Sequence, residues 1–513
     1  MKSINEIQDI PYKTYPSDNL FDWYDTIHYG TYKPLKWQLP LFEVLMYAEE
    51  GYLSRLMVDA PPQHAKTELF ITTFLSYYLV NHCNDKVITC AYSESRAVKY
   101  GTWIRDIIRE FKDQTLFKPQ LKQDFQRKDN FMFEPPYNGE LLAAGAHGSI
   151  MGNPANLIVI DDIIKELKEA QSPTMQSDLR EWYYTSIDTR LRKRYRLHEK
   201  ALPPLLMVIA QRLDKLDLQG IILEEEPYID GKEALARLRN GERIPDDVWV
   251  KMSFPALSFG EKEDILGRPR DTPLWSSHRS YNDLMNIKRR IGSYRFNLIY
   301  QGVPTEREGT YFRREWFFNE DGTLKCTVPL DLLPHLPRKV RSYDLAAVTK
   351  KKNIKGADEV SGALTSKDPV TETLYIFDVV NGKFTGANLL NVLHRTIKND
   401  GRSVITNIEQ EGASQSVLFL EQLKGLMQDY KIVSHKPIGS KVYRSLELQA
   451  LAETGRLKFV ISDENSMQWI NKSINQLIEF DGEDSNKKKH DDIVDSFSAS
   501  ANYWLIESKV PVL

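Results

Sequence analysis

The sequence predicts an α/β protein built as two successive domains, each carrying its polar residues at strand ends. Three observations predict it. Short apolar runs, such as Leu56-Met57-Val58, Leu157-Ile158-Val159-Ile160 and Leu205 to Ile209, are separated by stretches long enough for helices, the pattern of a parallel sheet with crossover helices. Each run ends in polar or charged residues, at the edge where ligand sites of open α/β sheets lie. A Pro-rich stretch from about Glu315 to Pro337, with Pro329, Pro334 and Pro337, then breaks the pattern before a fresh set of strands begins at Lys339.

The bulk properties narrow the class. A chain of 513 residues suggests roughly two to four domains, and 41% hydrophobic with 27% charged residues is an ordinary globular composition. Cys83, Cys90 and Cys326 are too few and too scattered for a disulfide framework or a zinc cluster, which fits a reducing compartment. Met-Lys-Ser-Ile-Asn-Glu at the start has no apolar run, so no signal peptide is expected. No stretch approaches the length of a membrane span, so a cytoplasmic protein without membrane contact is expected. A net charge of −3 excludes a polycation, so any nucleic-acid surface must be local. Candidate patches are Arg190 to Arg196, Lys350-Lys351-Lys352 with Lys355, and Lys487-Lys488-Lys489; the ordinary alternative for each is a solvated loop.

Residues 1 to about 30 are polar and aromatic without a period and read as an arm. Trp37 to Glu49 reads as a helix, and Gln38 within it is a candidate contact to a nucleotide base. The strand Leu56-Met57-Val58 follows, then Ala60-Pro61-Pro62-Gln63-His64-Ala65-Lys66-Thr67 and a stretch that goes helical through Thr73 and Tyr78. Strand, loop, Lys-Thr and helix in that order form a phosphate-binding loop, in which backbone N–H groups and the helix N-terminus point at a polyphosphate. Gln63, His64 and Ala65 would line the loop, Lys66 would reach the β/γ-phosphates, and the Thr67 hydroxyl would bind Mg²⁺. Ala60 and Ala65 stand where the pattern has Gly, and Ala costs more than Gly at positive φ. The bland alternative is a surface turn that ends in Lys-Thr.

Lys86 to Tyr92 and Leu141 to Ala144 read as strands, with Ser93-Glu94-Ser95 as a helix start between them. Asn156 to Asp162 is an apolar strand ending in two acids. Asp161 would hold Mg²⁺, and Asp162, where Glu is usual, would position the attacking water. Leu205 to Ile209 ends in Ala210-Gln211-Arg212, a place from which Gln211 would sense the γ-phosphate. These features define a phosphate-loop NTPase domain over residues 1–330, with a lid or linker insertion over about 220–330.

The second domain, 335–513, opens with Lys339 to Ala346, a strand carrying Asp344. Strands around Gly362 and over Thr373 to Val380 follow, and this opening is that of a ribonuclease-H-like fold. Val404 to Ile408 ends at Glu409. Asp491-Asp492-Ile493-Val494-Asp495 opens a C-terminal helix on which acids three or four apart share a face. Asp344, Glu409 and Asp492 are the candidate ligands of two Mg²⁺ or Mn²⁺ ions, roughly 3.5–4 Å apart in two-metal phosphodiester cleavage, with Asp495 and Asp491 as neighbours or substitutes. Each acid alone reads as a cap; the order and context give the cluster its meaning.

Pro61 to Thr67, Ile160-Asp161-Asp162, Gln211-Arg212 with Asp217-Leu218-Gln219-Gly220, and Phe296 to Pro304 with Gly309 and Phe312 together resemble the large subunit of tailed-bacteriophage terminases, over roughly residues 35 to 505. The resemblance implies an ATPase that drives double-stranded DNA into a procapsid and a metal-dependent endonuclease that cuts concatemeric DNA. It also implies partners: the portal, a small terminase subunit, and identical copies in a ring, a pentamer on the portal and a monomer when free. The location it implies is the host cytoplasm, outside the mature virion. Gly439-Ser440-Lys441 with Arg444 resembles the family's Gly-x-Lys-x-x-Arg stretch, which puts Lys441 and Arg444 on DNA phosphates, and Asp358 falls at the family's Gly-Asp position. The family's Gly-Arg-Gly is Gly152-Asn153-Pro154 here, so the arginine finger stays open among Arg96, Arg190, Arg192 and Arg212. Two other readings use the same residues: a helicase-nuclease of DNA repair or restriction, which the Tyr300-Gln301-Gly302-Val303-Pro304 stretch disfavours, and a DNA-binding assembly scaffold with a dead ATPase, which the two loop alanines favour.

Overall fold

The computed structural model describes residues 15–146, 148, 150–195, 201–304, 311–344, 360–384, 386–409, 414–437, 439–482 and 491–507. The runs at 350–355 and 487–489, together with Arg196 and Asp358, lie outside them.

The first unit is built on β1 (Arg55–Asp59), β2 (Lys86–Ala91), β3 (Leu121–Gln126), β4 (Asn130–Phe133), β5 (Glu140–Gly145), β6 (Leu157–Asp161), β7 (Leu205–Ala210), β8 (Tyr228–Asp230) and β9 (Trp249–Ser253). Among the described residues they form one nine-stranded sheet in the order β3-β4-β5-β2-β6-β7-β1-β9-β8, with β5 through β8 parallel and β3 and β4 antiparallel at one edge. The continuous apolar runs follow from burial on both faces. Leu56, Val58, Leu157, Val159, Leu205, Met207 and Ile209 enter one core, while Met57, Ile158, Ile160, Leu206 and Val208 enter the other. β7 lies between β1 and β6, so the strand leading to Lys66 and the strand ending in Asp161 are separated by the one ending at Ala210.

Three expectations change here. The arm contains a helix, Leu20–Ile27, with Leu20, Trp23 and Tyr24 buried at helical spacing. The stretch from 220 onward is no detached lid, because β9 pairs with β1 along its whole length. Within the basic run at Arg190 one member is architectural: Arg194 is fully buried and donates to the carbonyls of Ala48, Glu49 and Pro203, which satisfies a helix end, while Arg192 and Lys193 stay exposed.

The second unit contains β10 (Thr327–Pro329), β11 (Val340–Asp344), β12 (Val360–Lys367), β13 (Leu374–Gly382), β14 (Ile405–Glu409), β15 (Ile432–His435) and β16 (Leu457–Ile461). Among the described residues they form a seven-stranded mixed sheet, order β10-β16-β13-β12-β11-β14-β15. β11, β12 and β13 are an antiparallel meander; β14 adds parallel to β11, and β15 parallel to β14. The helices Lys441–Glu453, Ser466–Glu479 and Asp492–Glu507 bury Leu448, Leu451, Ile470, Ile474, Val494 and Phe497 in one core with Val340, Ala363 and Ile376 of the sheet. The compact units divide at Thr305/Glu306, with Ile287–Ser293 grouped with the second, rather than between 330 and 335. The Pro-rich stretch belongs to the second unit because β10 pairs with β16, far along the chain.

Candidate active sites at two strand edges

The loop after β1 adopts the shape its sequence left in doubt. Gln63 has φ +62° and Ala65 φ +59°, so both pass through the left-handed region without glycine, at a cost of roughly 1–3 kcal/mol each. Lys66 folds back over the loop, its Nζ donating to the carbonyls of Ala60 at 2.5 Å and Pro61 at 3.2 Å. Gln38, expected near a base, instead donates to the Ala65 carbonyl at 3.4 Å and accepts from the Leu35 N–H at 2.9 Å; it braces the loop from outside. After the loop the chain enters a π-type turn, Glu68–Phe74, before the α-helix Leu75–Asn81.

Asp161, at the end of β6, is fully buried. Its Oδ2 accepts from the Thr67 hydroxyl at 2.8 Å and from the Tyr100 hydroxyl at 2.6 Å, while its Oδ1 is buried without a hydrogen-bond partner. Burial, and then the neighbouring Asp162 carboxylate, push the Asp161 carboxyl above the usual carboxylate range. A cation beside Oδ1 would relieve both, so Thr67 and Asp161 fit a magnesium ion. Asp162 has φ +44°, which aspartate tolerates better than most residues. Its N–H donates to the Ile209 carbonyl at 2.9 Å, and its Oδ1 accepts from the Gln211 N–H at 3.2 Å. Asp161, Asp162 and Gln211 thus share one strand edge, and the Gln211 Oε1 is buried without a partner.

Arg212 is not available to a phosphate. It is 3% exposed, its Nε donates to both oxygens of Asp217 at 3.0 Å, and Asp217 caps the helix Leu218–Glu225 by accepting from the Gly220 N–H. The Gln211 to Gly220 stretch is therefore largely architecture. The Tyr-Gln-Gly-Val-Pro stretch has a similar explanation. Gln301 pairs its side chain with the N–H and the carbonyl of Leu257, both at 2.8 Å. Gly302, at φ +68°, approaches the end of β1 so closely that a Cβ would lie 2.2 Å from the Asp59 Oδ1.

Reasoning from the sequence missed Tyr100, Arg96's contact with it, and the turn Trp275–Arg279. Arg96 Nε donates to the Tyr100 hydroxyl at 3.0 Å, and its guanidinium lies over the rings of Tyr100 and Trp103. The spacing Arg96 to Tyr100 on a helix that starts at the same sheet edge was the available signal. His64 is buried, with ring centroids of Trp275 at 6.1 Å and His278 at 5.5 Å. Burial lowers its pKa to about 4, helped by His278, Lys66 and Arg279.

In the second unit, Asp344 ends β11 and Glu409 ends β14, and the two are register partners on adjacent parallel strands. Ser361 of β12 pairs with Asp344 from the other side, and its hydroxyl meets that of Ser496 at 2.8 Å. That contact docks the helix Asp492–Glu507 beside Asp344 and brings Asp495 to it. Asp344, Glu409, Asp492 and Asp495 are all at most 9% exposed. Burial, and then the Asp344 carboxylate, push the Asp495 carboxyl upward.

Lys441 and Arg444, expected on DNA phosphates, sit on these acids. Lys441 Nζ contacts Asp491 at 2.7 Å and Asp495 at 3.0 Å, and Arg444 pairs with Glu409. Ser440 caps their helix, which projects the two cations one turn apart, Arg444 onto the strand end at Glu409 and Lys441 onto the acids at the start of the C-terminal helix. Among the described residues, no group of three or more His, Cys, Asp or Glu is arranged to hold a metal ion. The donor chemistry of these crowded, buried carboxylates suits hard divalent cations, whose positive charge would stand where Lys441 and Arg444 now supply it.

Residues 391–503 match a family model described as the terminase RNaseH-like domain; the match contains Glu409, Lys441, Arg444, Asp491, Asp492 and Asp495 but not Asp344. No curated protein matches the chain. The large terminase of a thermophilic bacteriophage aligns over 92% of this chain and 100% of its own, at 11% identity and a TM-score of 0.49. That of the HK97 bacteriophage aligns over 87% of this chain and 90% of its own, at 12% identity and a TM-score of 0.34. The resemblance to terminase large subunits is borne out, and residues 391–503 carry a ribonuclease-H-like domain of the terminase family.

Proposed function

We propose that this chain is the large subunit of a tailed-phage terminase. It hydrolyses ATP to move double-stranded DNA into a procapsid, and it cuts concatemeric DNA with a metal-dependent nuclease when packaging begins and ends. The observation that carries the reading is the presence of two acidic strand edges in one chain: Asp161 beside Thr67 after a phosphate loop, and Asp344 beside Glu409, of which Glu409 falls within the residues matched by a terminase family.

In the motor, the N–H groups of Gln63, His64, Ala65 and Lys66 cradle the phosphates, and the Lys66 ammonium leaves the Ala60 and Pro61 carbonyls for the β/γ-phosphates. Thr67 and Asp161 would hold magnesium, which would supply charge neutralisation at the phosphates. Asp162 orients the attacking water, and the Gln211 amide lies beside it to read the γ-phosphate. Tyr100 fixes the Asp161 carboxylate so that Oδ1 remains turned inward. Lys441 and Arg444 release Asp491, Asp495 and Glu409, and their charges then pass to the DNA backbone, giving affinity and salt dependence without sequence choice. Asp344, Glu409 and Asp492, with Asp495 and Asp491 as neighbours or substitutes, would hold divalent metals, which would supply water activation and charge stabilisation at the leaving oxygen. The partners are the portal, a small terminase subunit that marks the DNA, and further copies of this chain in a ring; the site of action is the host cytoplasm.

The test is a packaging reaction with portal-bearing procapsids from the same phage, linear DNA, ATP and this protein. ATP-dependent protection of DNA from DNase is expected, and it is lost with Lys66→Ala. ATP hydrolysis and cutting without any protection would instead support the helicase-nuclease reading.

A further inference from the structure

Phosphoryl transfer calls for positive charge beyond the loop lysine, and an arginine commonly supplies it. Each of the four arginines that the sequence put forward already has a hydrogen-bond partner, Arg96 at the Asp161 edge itself through Tyr100. Arg212 is buried on Asp217, and Arg96 is held by Tyr100. Arg190 and Arg192 pair their backbones with Ala155, just before β6, at the sheet edge opposite Asp161. A fifth arginine lies on the phosphate loop itself. Arg279 Nη2 donates to the Gln63 Oε1 at 2.8 Å.

Its backbone is fixed by local structure. The N–H of Arg279 donates to the Trp275 carbonyl at 2.9 Å, and that of His278 to the same carbonyl at 3.1 Å. Ser280 caps the following helix, with Asp283 closing the capping box. The Trp275 and His278 rings, 4.6 Å apart, pack against His64 and so seat this turn on the loop. Among the described residues no carboxylate forms an ion pair with Arg279; its hydrogen-bond acceptor is a neutral amide on a half-open surface.

We propose that Arg279 is a nucleotide-contacting residue of the motor, acting within its own chain, whose guanidinium exchanges the Gln63 amide for the β/γ-phosphate oxygens of ATP. This rests on the nucleotide reading of the loop. The exchange replaces a neutral acceptor by a charged one, which makes a stronger, bidentate hydrogen bond with the planar fork. The turn that carries Arg279 packs on the loop through the rings of Trp275 and His278 against His64, so the guanidinium is held at the loop surface.

The test compares wild type, Lys66→Ala, Arg279→Ala, Arg279→Gln and Arg279→Lys in the full-length chain. Dissociation constants for ATPγS and ADP with Mg²⁺, kcat and KM for ATP, and the melting temperature without nucleotide are measured. Arg279→Ala and Arg279→Gln are expected to lower kcat by about 10- to 1000-fold and to reduce the preference for ATPγS over ADP by about 10-fold, with the nucleotide-free melting temperature unchanged. Arg279→Lys recovers part of the loss. If Arg279→Gln, which keeps a neutral hydrogen bond to Gln63, behaves as wild type, the residue is only a brace and the proposal is overturned. It is equally overturned if Arg279→Ala retains wild-type kcat and nucleotide preference while Lys66→Ala abolishes binding. Wild type that binds neither nucleotide overturns the loop reading together with this one.

Discussion

Ala65 stands where a phosphate loop ordinarily has glycine, and its backbone takes φ +59° regardless. The fold around it therefore supplies what the residue lacks: Gln38 and the Leu69 N–H both donate to its carbonyl. Replacing Ala65 by Gly removes left-handed strain and loosens the unfolded chain, and the relief of strain is the larger effect. The expected change is a rise in unfolding free energy of up to about 2 kcal/mol, with nucleotide binding kept. A loss of several kcal/mol on urea unfolding would mean that the loop does not hold this conformation. His64 makes a second prediction. Its pKa falls from 6.5 to about 4 on folding, so on acidification the unfolded chain takes up its proton first. Stability tied to His64 is complete above pH 6.5 and is lost as pH falls toward 4. The advantage of wild type over His64→Asn should shrink by up to about 1.4 kcal/mol per pH unit across that window. A constant difference between pH 7.5 and pH 5 contradicts the burial of this imidazole. Asp162 in place of glutamate has a comparable local reason, since its left-handed backbone suits the shorter acid.

At the scale of elements, the strands were readable because β1, β6 and β7 are buried on both faces and show as unbroken apolar runs. Asp161 was readable as the acid at the end of such a run, whereas Asp344 and Glu409 end mixed strands, Val-Arg-Ser-Tyr-Asp and Ile-Thr-Asn-Ile-Glu, and were readable from their order along the chain. The first helix was not recognised, although Leu20, Trp23 and Tyr24 carry its spacing, because the polar residues around them dilute the period. β9 was hidden in a presumed insertion, since nothing local to Trp249–Ser253 says that it will pair with a strand almost two hundred residues earlier. Lys441 and Arg444 were placed near the acids but assigned to DNA alone. Their ion pairs depend on how the helix Lys441–Glu453 docks, which its own sequence does not encode. A third prediction belongs here. Lys441→Ala leaves Asp491 and Asp495 crowded and partly buried without a cation, which should lower stability in chelator by roughly 1–3 kcal/mol. Added Mn²⁺ should then raise the variant's melting temperature more than that of wild type. An equal rise in both proteins would argue that the metal does not compete with Lys441 for these acids.

Across the whole molecule, two compact units each build a sheet with carboxylates at its strand ends, and the order of motifs along 513 residues disclosed both. Their division was less visible, because the Pro-rich stretch before β11 looks like a linker while β10 within it completes the second sheet. The three cysteines are buried free thiols. Among the described residues, no helix is long and apolar enough to cross a membrane. The central claim is that one chain carries two chemically separate engines. The measurement that tests it most directly follows phosphate release and plasmid cutting in parallel, for wild type, Lys66→Ala and Asp344→Ala, in Mg²⁺ or Mn²⁺ with and without ATP. The account predicts that Lys66→Ala lowers ATP hydrolysis by at least about 100-fold and spares cutting in the absence of ATP, while Asp344→Ala does the reverse. Loss of both activities in either variant, with folding intact by circular dichroism, would contradict it.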